Sequence, residues 1–357
     1  MTSKIRVGIV GLGEVAQITH LPILRALSDK FEVTALCDIS KTLVVELGKR
    51  YNVPGQYTDY SELVSSDNVD LVFVLNSDEY HADTAVAALQ HGKHVLIEKP
   101  VCLTLADAER LIRARDDAHR QVMVGYMRRY APAFQMAKRM VAEMPSINYV
   151  RVRDIIGQNR LIIEQACDVL RPSDIPDEAM RDRQSRALRM GYDAVGEGYD
   201  PRVYQVYRLL CGLSSHDLSA MRDLIGSPRQ VADARAWGSN IAAIFEYDGF
   251  HAVFETGVDA QRRFDAHIEV YSNHSSVKVQ YDTPYIRHLP TTLQISETVG
   301  DEYRQRVVRP TFKDPYTCEL EELYEVIQTG KTHQTTLEDA VEDLQLFAKI
   351  MEKIKNQ

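Results

Sequence analysis

At 357 residues the chain is long enough for two domains of roughly 100–200 residues each. Its 45% hydrophobic and 26% charged content is that of a globular protein able to bury a sizeable core. A net charge of −9 and the absence of a basic stripe argue against a nucleic-acid partner or an acidic membrane surface, and no apolar stretch nears the roughly 20 residues of a membrane span.

The first apolar run, Ile5–Val10, starts almost at once, with no charged leader and long apolar region before it, so no signal peptide is expected. The pattern then alternates. Helical periodicity is predicted over 15–27, a strand over 33–37, a helix over 42–50, a strand over 71–75 and a helix over 82–90. A strand follows at 95–97, a helix at 104–119 and a strand at 122–124. Near-continuous apolar strands between amphipathic helices predict a parallel sheet covered on both faces, a doubly wound domain over residues 1–125.

Beyond 125 the character changes. A helix is predicted at 133–143, a strand at 148–154, a charge-rich and mostly helical insertion at 155–200, and a helix at 202–224. From 229 to 308 the text is strand-like, with hairpin signals at Tyr247-Asp248-Gly249-Phe250 and Asn273-His274, and the end returns to helix. Residues 126–357 therefore read as an α/β domain carrying an antiparallel sheet. The insertion is by default a solvated helical face, and its place before the 202–224 helix also suits a substrate lid or an oligomer contact.

Gly11-Leu12-Gly13-Glu14-Val15-Ala16 is a G-x-G-x-x-A motif after a strand and at the opening of a helix. Gly11 permits the tight turn, Gly13 lets a pyrophosphate approach the backbone, and Ala16 allows close helix packing. Asp38 lies twenty-two residues past Ala16 at the end of the second strand, where an acid binds a ribose 2′-hydroxyl and repels a 2′-phosphate. NAD rather than NADP is the expected cofactor, with Lys41 the one nearby cation to weaken the preference. Ligands of such sheets bind beyond the carboxyl ends of the strands, where Asn76, Ser77 and Glu98-Lys99-Pro100 stand. An ammonium there can hydrogen-bond a substrate hydroxyl and stabilise it as it becomes an alkoxide, whereas Glu98 can pair with that lysine or contact the cofactor. The plain alternative is a lysine snorkelling from a strand end.

The G-x-G-x-x-A turn, His81 followed by GKHVLIEKP, GYMRRYAPAF at 125–134 and HDLSAMRDLIG at 216–226 together resemble the Gfo/Idh/MocA family, named for glucose–fructose oxidoreductase, inositol dehydrogenase and rhizopine catabolism. The resemblance runs through nearly the whole chain. It implies a Rossmann domain plus an α/β domain with a large open, mostly antiparallel sheet, a nicotinamide cofactor and a sugar or polyol substrate. On that basis Lys99 and His216 are the expected catalytic residues, the histidine exchanging the hydroxyl proton. Gly11, Leu12, Gly13, Glu14, Val15, Asp38, Asn76, Ser77, His81, Glu98 and Lys99 are the expected cofactor contacts, and Tyr126, Arg128 and Tyr204 candidate substrate contacts. Many members carry an Asp four residues before the histidine; here that position is Gly212, with Asp193, Tyr204 or Tyr207 as possible substitutes. Two rivals follow: a redox-neutral enzyme that oxidises and re-reduces one substrate, and a regulator that binds cofactor without chemistry.

His20, His91, His94 and His119 form no ligand constellation, so packing or surface roles and no metal site are expected. Five scattered cysteines (Cys37, Cys102, Cys167, Cys211, Cys318) without a C-x-x-C suggest neither zinc nor a disulfide framework and fit a cytoplasmic protein. A homo-oligomer, dimer or tetramer, is expected because open sheets of this kind pair their exposed faces.

Overall fold

The computed structural model describes residues 4–355. Six parallel strands come first: β1 (Ile5–Val10), β2 (Phe31–Cys37), β3 (Gly55–Tyr57), β4 (Leu71–Val74), β5 (His94–Glu98) and β6 (Val122–Gly125). Their order is β3-β2-β1-β4-β5-β6, the doubly wound arrangement whose switch point lies between β1 and β4. Every residue of β4 and β6 is buried, as expected of strands covered on both faces. The short β3 and the helix after it were not legible in the hydrophobic pattern.

The helices of this sheet are α1 (Leu21–Ala26, entered through a π-helical turn at Ala16–His20), α2 (Lys41–Tyr51), α3 (Tyr60–Ser65), α4 (His81–Gln90) and α5 (Leu105–Ala118). Local chemistry sets their ends. The Ser40 side chain caps α2 by accepting from Leu43 N–H, and the helix stops at Asn52 in the left-handed region. Thr104 caps α5 by accepting from Asp107 N–H.

Beyond Gly125 come α6 (Pro132–Ala142), β7 (Tyr149–Gly157), α7 (Asn159–Ala166), α8 (Asp177–Val195), α9 (Pro201–Leu209) and α10 (Ser215–Ile225). A π-helical turn, Leu210–Ser214, joins the last two. Then follow β8 (Gln230–Trp237), β9 (Asn240–Glu246), β10 (His251–Asp259), β11 (Phe264–Tyr271), β12 (Ser275–Tyr281), β13 (Thr292–Val299) and β14 (Glu302–Val308), and finally α11 (Pro315–Thr329) and α12 (Leu337–Ile354). Strands β7–β14 form one sheet in the order β14-β13-β12-β11-β7-β10-β9-β8, antiparallel throughout except where β7 runs parallel to β10. Both hairpins read from the sequence are present, β9–β10 and β11–β12. The fold is thus α/β, a Rossmann sheet plus a large, mostly antiparallel one.

The chain separates into two compact units. One holds residues up to Gly125 together with Cys167–Ala194 and Glu319–Leu344; the other holds Tyr126–Ala166, Val195–Cys318 and the residues after 344. The charge-rich stretch read as an insertion of the second domain is therefore divided, and its middle, 167–194, packs within the first unit. The reason is a set of ion pairs and hydrogen bonds to partners more than a hundred residues away in sequence, which no local pattern displays.

Candidate functional site

In the first unit the site is built at the carboxyl ends of the parallel strands. Gly11 adopts φ +96°, and a Cβ there would lie 2.3 Å from the Asn76 backbone nitrogen, so only glycine fits between β1 and β4. Gly13 has nothing within 4 Å of where its Cβ would stand, which leaves the backbone open to a ligand. Asp38, at the end of β2, turns back on this loop. Its Oδ2 accepts from Leu12 N–H at 2.8 Å and its Oδ1 from Ser40 N–H at 2.8 Å. A carboxylate has about four acceptor positions, so roughly two remain for ribose hydroxyls. Burial pushes the Asp38 carboxyl up; the two N–H donors oppose this, Asp174 adds to it, and the result lies above the ordinary range.

At the end of β4, Asn76 donates from Nδ2 to Thr84 Oγ1 at 2.9 Å, while its buried Oδ1 has no hydrogen-bond partner among the described residues. An acceptor left open beside the glycine turn suits a hydroxyl donor from a bound nucleotide. Ser77, half-buried, starts the turn Asp78–Tyr80. His81 opens α4 with its ring between two carbonyls, Nδ1 2.8 Å from Pro100 O and Nε2 3.0 Å from Asn76 O, and so braces the β4 and β5 ends together. The open glycine backbone, the acid at β2 and the Asn76 acceptor fit a nicotinamide dinucleotide. Glu14 and Val15 flank the turn, half-buried.

Glu98 and Lys99 close β5. Glu98 is committed to a residue that the sequence did not single out: its Oε1 lies 2.9 Å from Nε2 of His20, and both are buried. The Phe73 ring stands edge-on to His20 at 5.4 Å. Burial works to raise the Glu98 carboxyl, but the His20 hydrogen bond and charge and the nearby Lys99 outweigh it and hold it below its usual value. Glu98 therefore braces the sheet through His20, and its other oxygen accepts from Lys99 N–H at 3.1 Å. Lys99 itself is half-buried at the strand end.

In the second unit, His216 is the second residue of α10 and is 9% exposed. The turn Met127–Tyr130 sends Arg128 to Asp217, the next residue along α10, and at 3.1 Å to Asp154 of β7. The three side chains are buried, with Arg128 over the Tyr281 ring at 4.8 Å. One cation thus serves two acids and clamps the first turn of α10, and with it the backbone of His216, onto the sheet. Burial and the neighbouring Asp154 push the Asp217 carboxyl well above its ordinary value despite Arg128; in return the two acids keep the guanidinium protonated against burial.

Arg128, expected to touch substrate, is instead this internal cation. The cavity beside it, lined in part by Tyr281 and Asp314, measures about 20 Å³, room for one water and not for a sugar. Tyr126 is likewise buried, 6.0 Å from the Arg129 guanidinium, and Tyr204 is buried with its hydroxyl donating to Gly196 O at 2.9 Å. Gly212 is exposed on the π-helical turn, with nothing within 4 Å of a Cβ. That wider turn breaks the one-turn-apart relation that a four-residue spacing has in an α-helix, so the missing acid at 212 says less about His216 than the spacing suggested. Among the described residues no group of three or more His, Cys, Asp or Glu could hold a metal, and no helix is long and apolar enough to cross a membrane.

Residues 5–126 match the family described as "Oxidoreductase family, NAD-binding Rossmann fold". Inositol 2-dehydrogenase of Salmonella typhimurium is 36% identical over 139 residues, which cover 38% of this chain and 41% of that protein. The matched region is thus about two-fifths of such a relative's length. An inositol 2-dehydrogenase/D-chiro-inositol 3-dehydrogenase of Lactiplantibacillus plantarum is 23% identical over 328 residues, 88% of this chain and 81% of that one. Among solved structures, a 3-ketoreductase of Actinomadura kijaniata in complex with NADP and TDP-benzene superposes with a TM-score of 0.75 at 19% identity, over 99% of this chain and 98% of that one. At that identity the likeness is one of fold.

Proposed function

Through residues 5–126 the chain belongs to the Gfo/Idh/MocA oxidoreductase family, and we propose that it is an NAD-dependent oxidoreductase acting on a secondary hydroxyl of a sugar, cyclic polyol or sugar derivative. The observation that carries this is the Asp38 carboxylate folded over the glycine turn, where Gly13 leaves its backbone open, beside the open Asn76 acceptor. When bound, the nicotinamide supplies or accepts the hydride. The protein does the rest. Lys99 polarises the substrate oxygen, His216 takes or returns the hydroxyl proton, and the Arg128–Asp217 clamp holds the histidine's helix. A neutral imidazole suits that proton transfer near neutral pH. The cofactor is NAD rather than NADP. The protein acts in the cytoplasm, and it acts as a homo-oligomer, the latter reading supported by apolar side chains exposed on the second sheet, Trp237, Ile244, Tyr303 and Val307.

The test is incubation of purified protein with NAD and a panel of polyols and sugars while nicotinamide absorbance is recorded. Steady reduction of NAD supports the reading. Gly212, in place of an acid, favours one second reading, a redox-neutral reaction, which would give product with no net NADH. Binding of NAD with neither outcome would leave a regulator.

A further inference from the structure

The stretch that packs within the first unit crosses the cofactor edge like a strap. Asp168 meets Arg50 at 3.1 Å. The Leu170 backbone exchanges two hydrogen bonds with the Gln17 side chain, at 2.9 and 3.0 Å. Arg171 reaches Glu14 of the glycine turn at 2.7 Å. Further on, Asp182 accepts from Tyr80 Oη at 2.6 Å and Arg186 binds Asp83 at 2.8 Å. Asp174 sits in the middle of this series. Its Oδ1 accepts from Ser40 Oγ at 2.5 Å, and its Oδ2 accepts from both the N–H and the hydroxyl of Thr42 at 2.9 Å.

Those donors have a particular chemistry. Ser40 and Thr42 lie just past Asp38, Ser40 as the N-cap of α2 and Thr42 in its first turn, beside Lys41. A first-turn N–H, two hydroxyls and a neighbouring ammonium are what a phosphate on the adenosine 2′-oxygen would seek. In this chain the exposed Asp174 carboxylate takes all three donors. It stays ionised there, because the Ser40 and Thr42 hydrogen bonds hold it down at about 2. Asp38 feels that charge as well.

We propose that Asp174 is a second specificity-determining residue: by filling the donor set after β2 with its own negative charge, it excludes the 2′-phosphate and selects NAD over NADP together with Asp38. This rests on the reading of the first unit as an NAD site. It adds to that reading an acid supplied from 134 positions further along the chain by a segment outside the Rossmann sequence pattern.

Asp174→Asn keeps the shape and removes the charge, and Asp174→Ala removes the acceptors as well. Both are exposed replacements; thermal melting confirms that each variant is folded. NADH and NADPH are titrated separately into the full-length native protein and each variant, following nicotinamide fluorescence. In the native protein NADH binds more tightly. In the variants NADPH affinity rises about tenfold, the size of one near-surface charge interaction, while NADH affinity changes less than about threefold. A strap that is only a structural clip would move both cofactors together, and an unchanged NADPH/NADH ratio with native NAD preference intact would overturn the proposal alone. Native protein that binds NADPH as tightly as NADH would overturn the NAD reading itself.

Discussion

The two units handle their acids in opposite ways. At the cofactor edge of the first, Asp38 and Asp174 are satisfied by backbone N–H groups and hydroxyls, donors that carry no net charge. Beneath His216 in the second, Asp154 and Asp217 share the single Arg128 with no exposed surface between them. Neutral donors can pass to a ligand, or exchange one acid's company for another's, at little cost to the fold. A buried ion cluster cannot, because removal of one member strands the rest. Substitutions in the first region should therefore register in cofactor affinity, and those in the second in stability and pH response.

The sharpest version of that contrast separates binding from chemistry. His216→Ala should abolish measurable turnover while NAD affinity stays within about twofold, since the glycine turn and Asp38 hold the cofactor. Unchanged turnover would show that the proton leaves by another route. Lys99→Ala should lower turnover by roughly two to four orders of magnitude without a change in melting temperature, as expected of a lost acid–base or oxyanion partner. Near-native turnover at saturating substrate would return Lys99 to the role of a snorkelling strand-end lysine.

Arg128→Leu attacks the second region directly. It leaves the two buried acids without their cation, so the loss should be about 3–5 kcal/mol of stability, read by denaturant unfolding. A loss below about 1 kcal/mol would mean that water reaches the acids and that the cluster is not sealed.

Asp217→Asn is a smaller and more specific probe. The folded protein releases this acid's proton at a higher pH than the unfolded chain, which loses it near about pH 4. Folded molecules then bind more protons than unfolded ones, and stability falls as pH rises through that interval. Asparagine is neutral throughout and removes the dependence. Its stability relative to the native chain should climb with pH above the ordinary carboxylate range. Parallel pH curves would show that Asp217 is ionised in both states.

The same contrast explains what could be read beforehand. The glycine turn, Asp38, the two hairpins and the parallel strands announce themselves because each is a local pattern of period or turn chemistry. Lys99 stands out by its place at a strand end and by resemblance, His216 by its motif alone. Four things were hidden: the His20–Glu98 pair, the strap contacts of Asp174, the short β3 and the burial of Arg128. The Asp174 contact joins residues 134 apart and the His20 contact residues 78 apart, and a charge-rich helical stretch looks the same whether it faces water or clasps another surface. Arg128 misled because an arginine beside tyrosines in a loop suits a ligand as well as a pair of buried acids.

The mildest test joins the two regions' logic at Gly212. The position is exposed and open, so Asp fits there without displacing a neighbour. A carboxylate near His216 favours its imidazolium, and the limb of the pH–rate profile that reports the basic form should move upward. The shift should be less than about one pH unit. The π-helical turn takes residue 212 out of the one-turn position, and a solvent-exposed charge is screened. Raising the salt concentration should shrink the shift further, which a direct hydrogen bond would resist. A fall in turnover with no movement of the limb would mean instead that another acid already serves His216, and that two carboxylates now crowd one site.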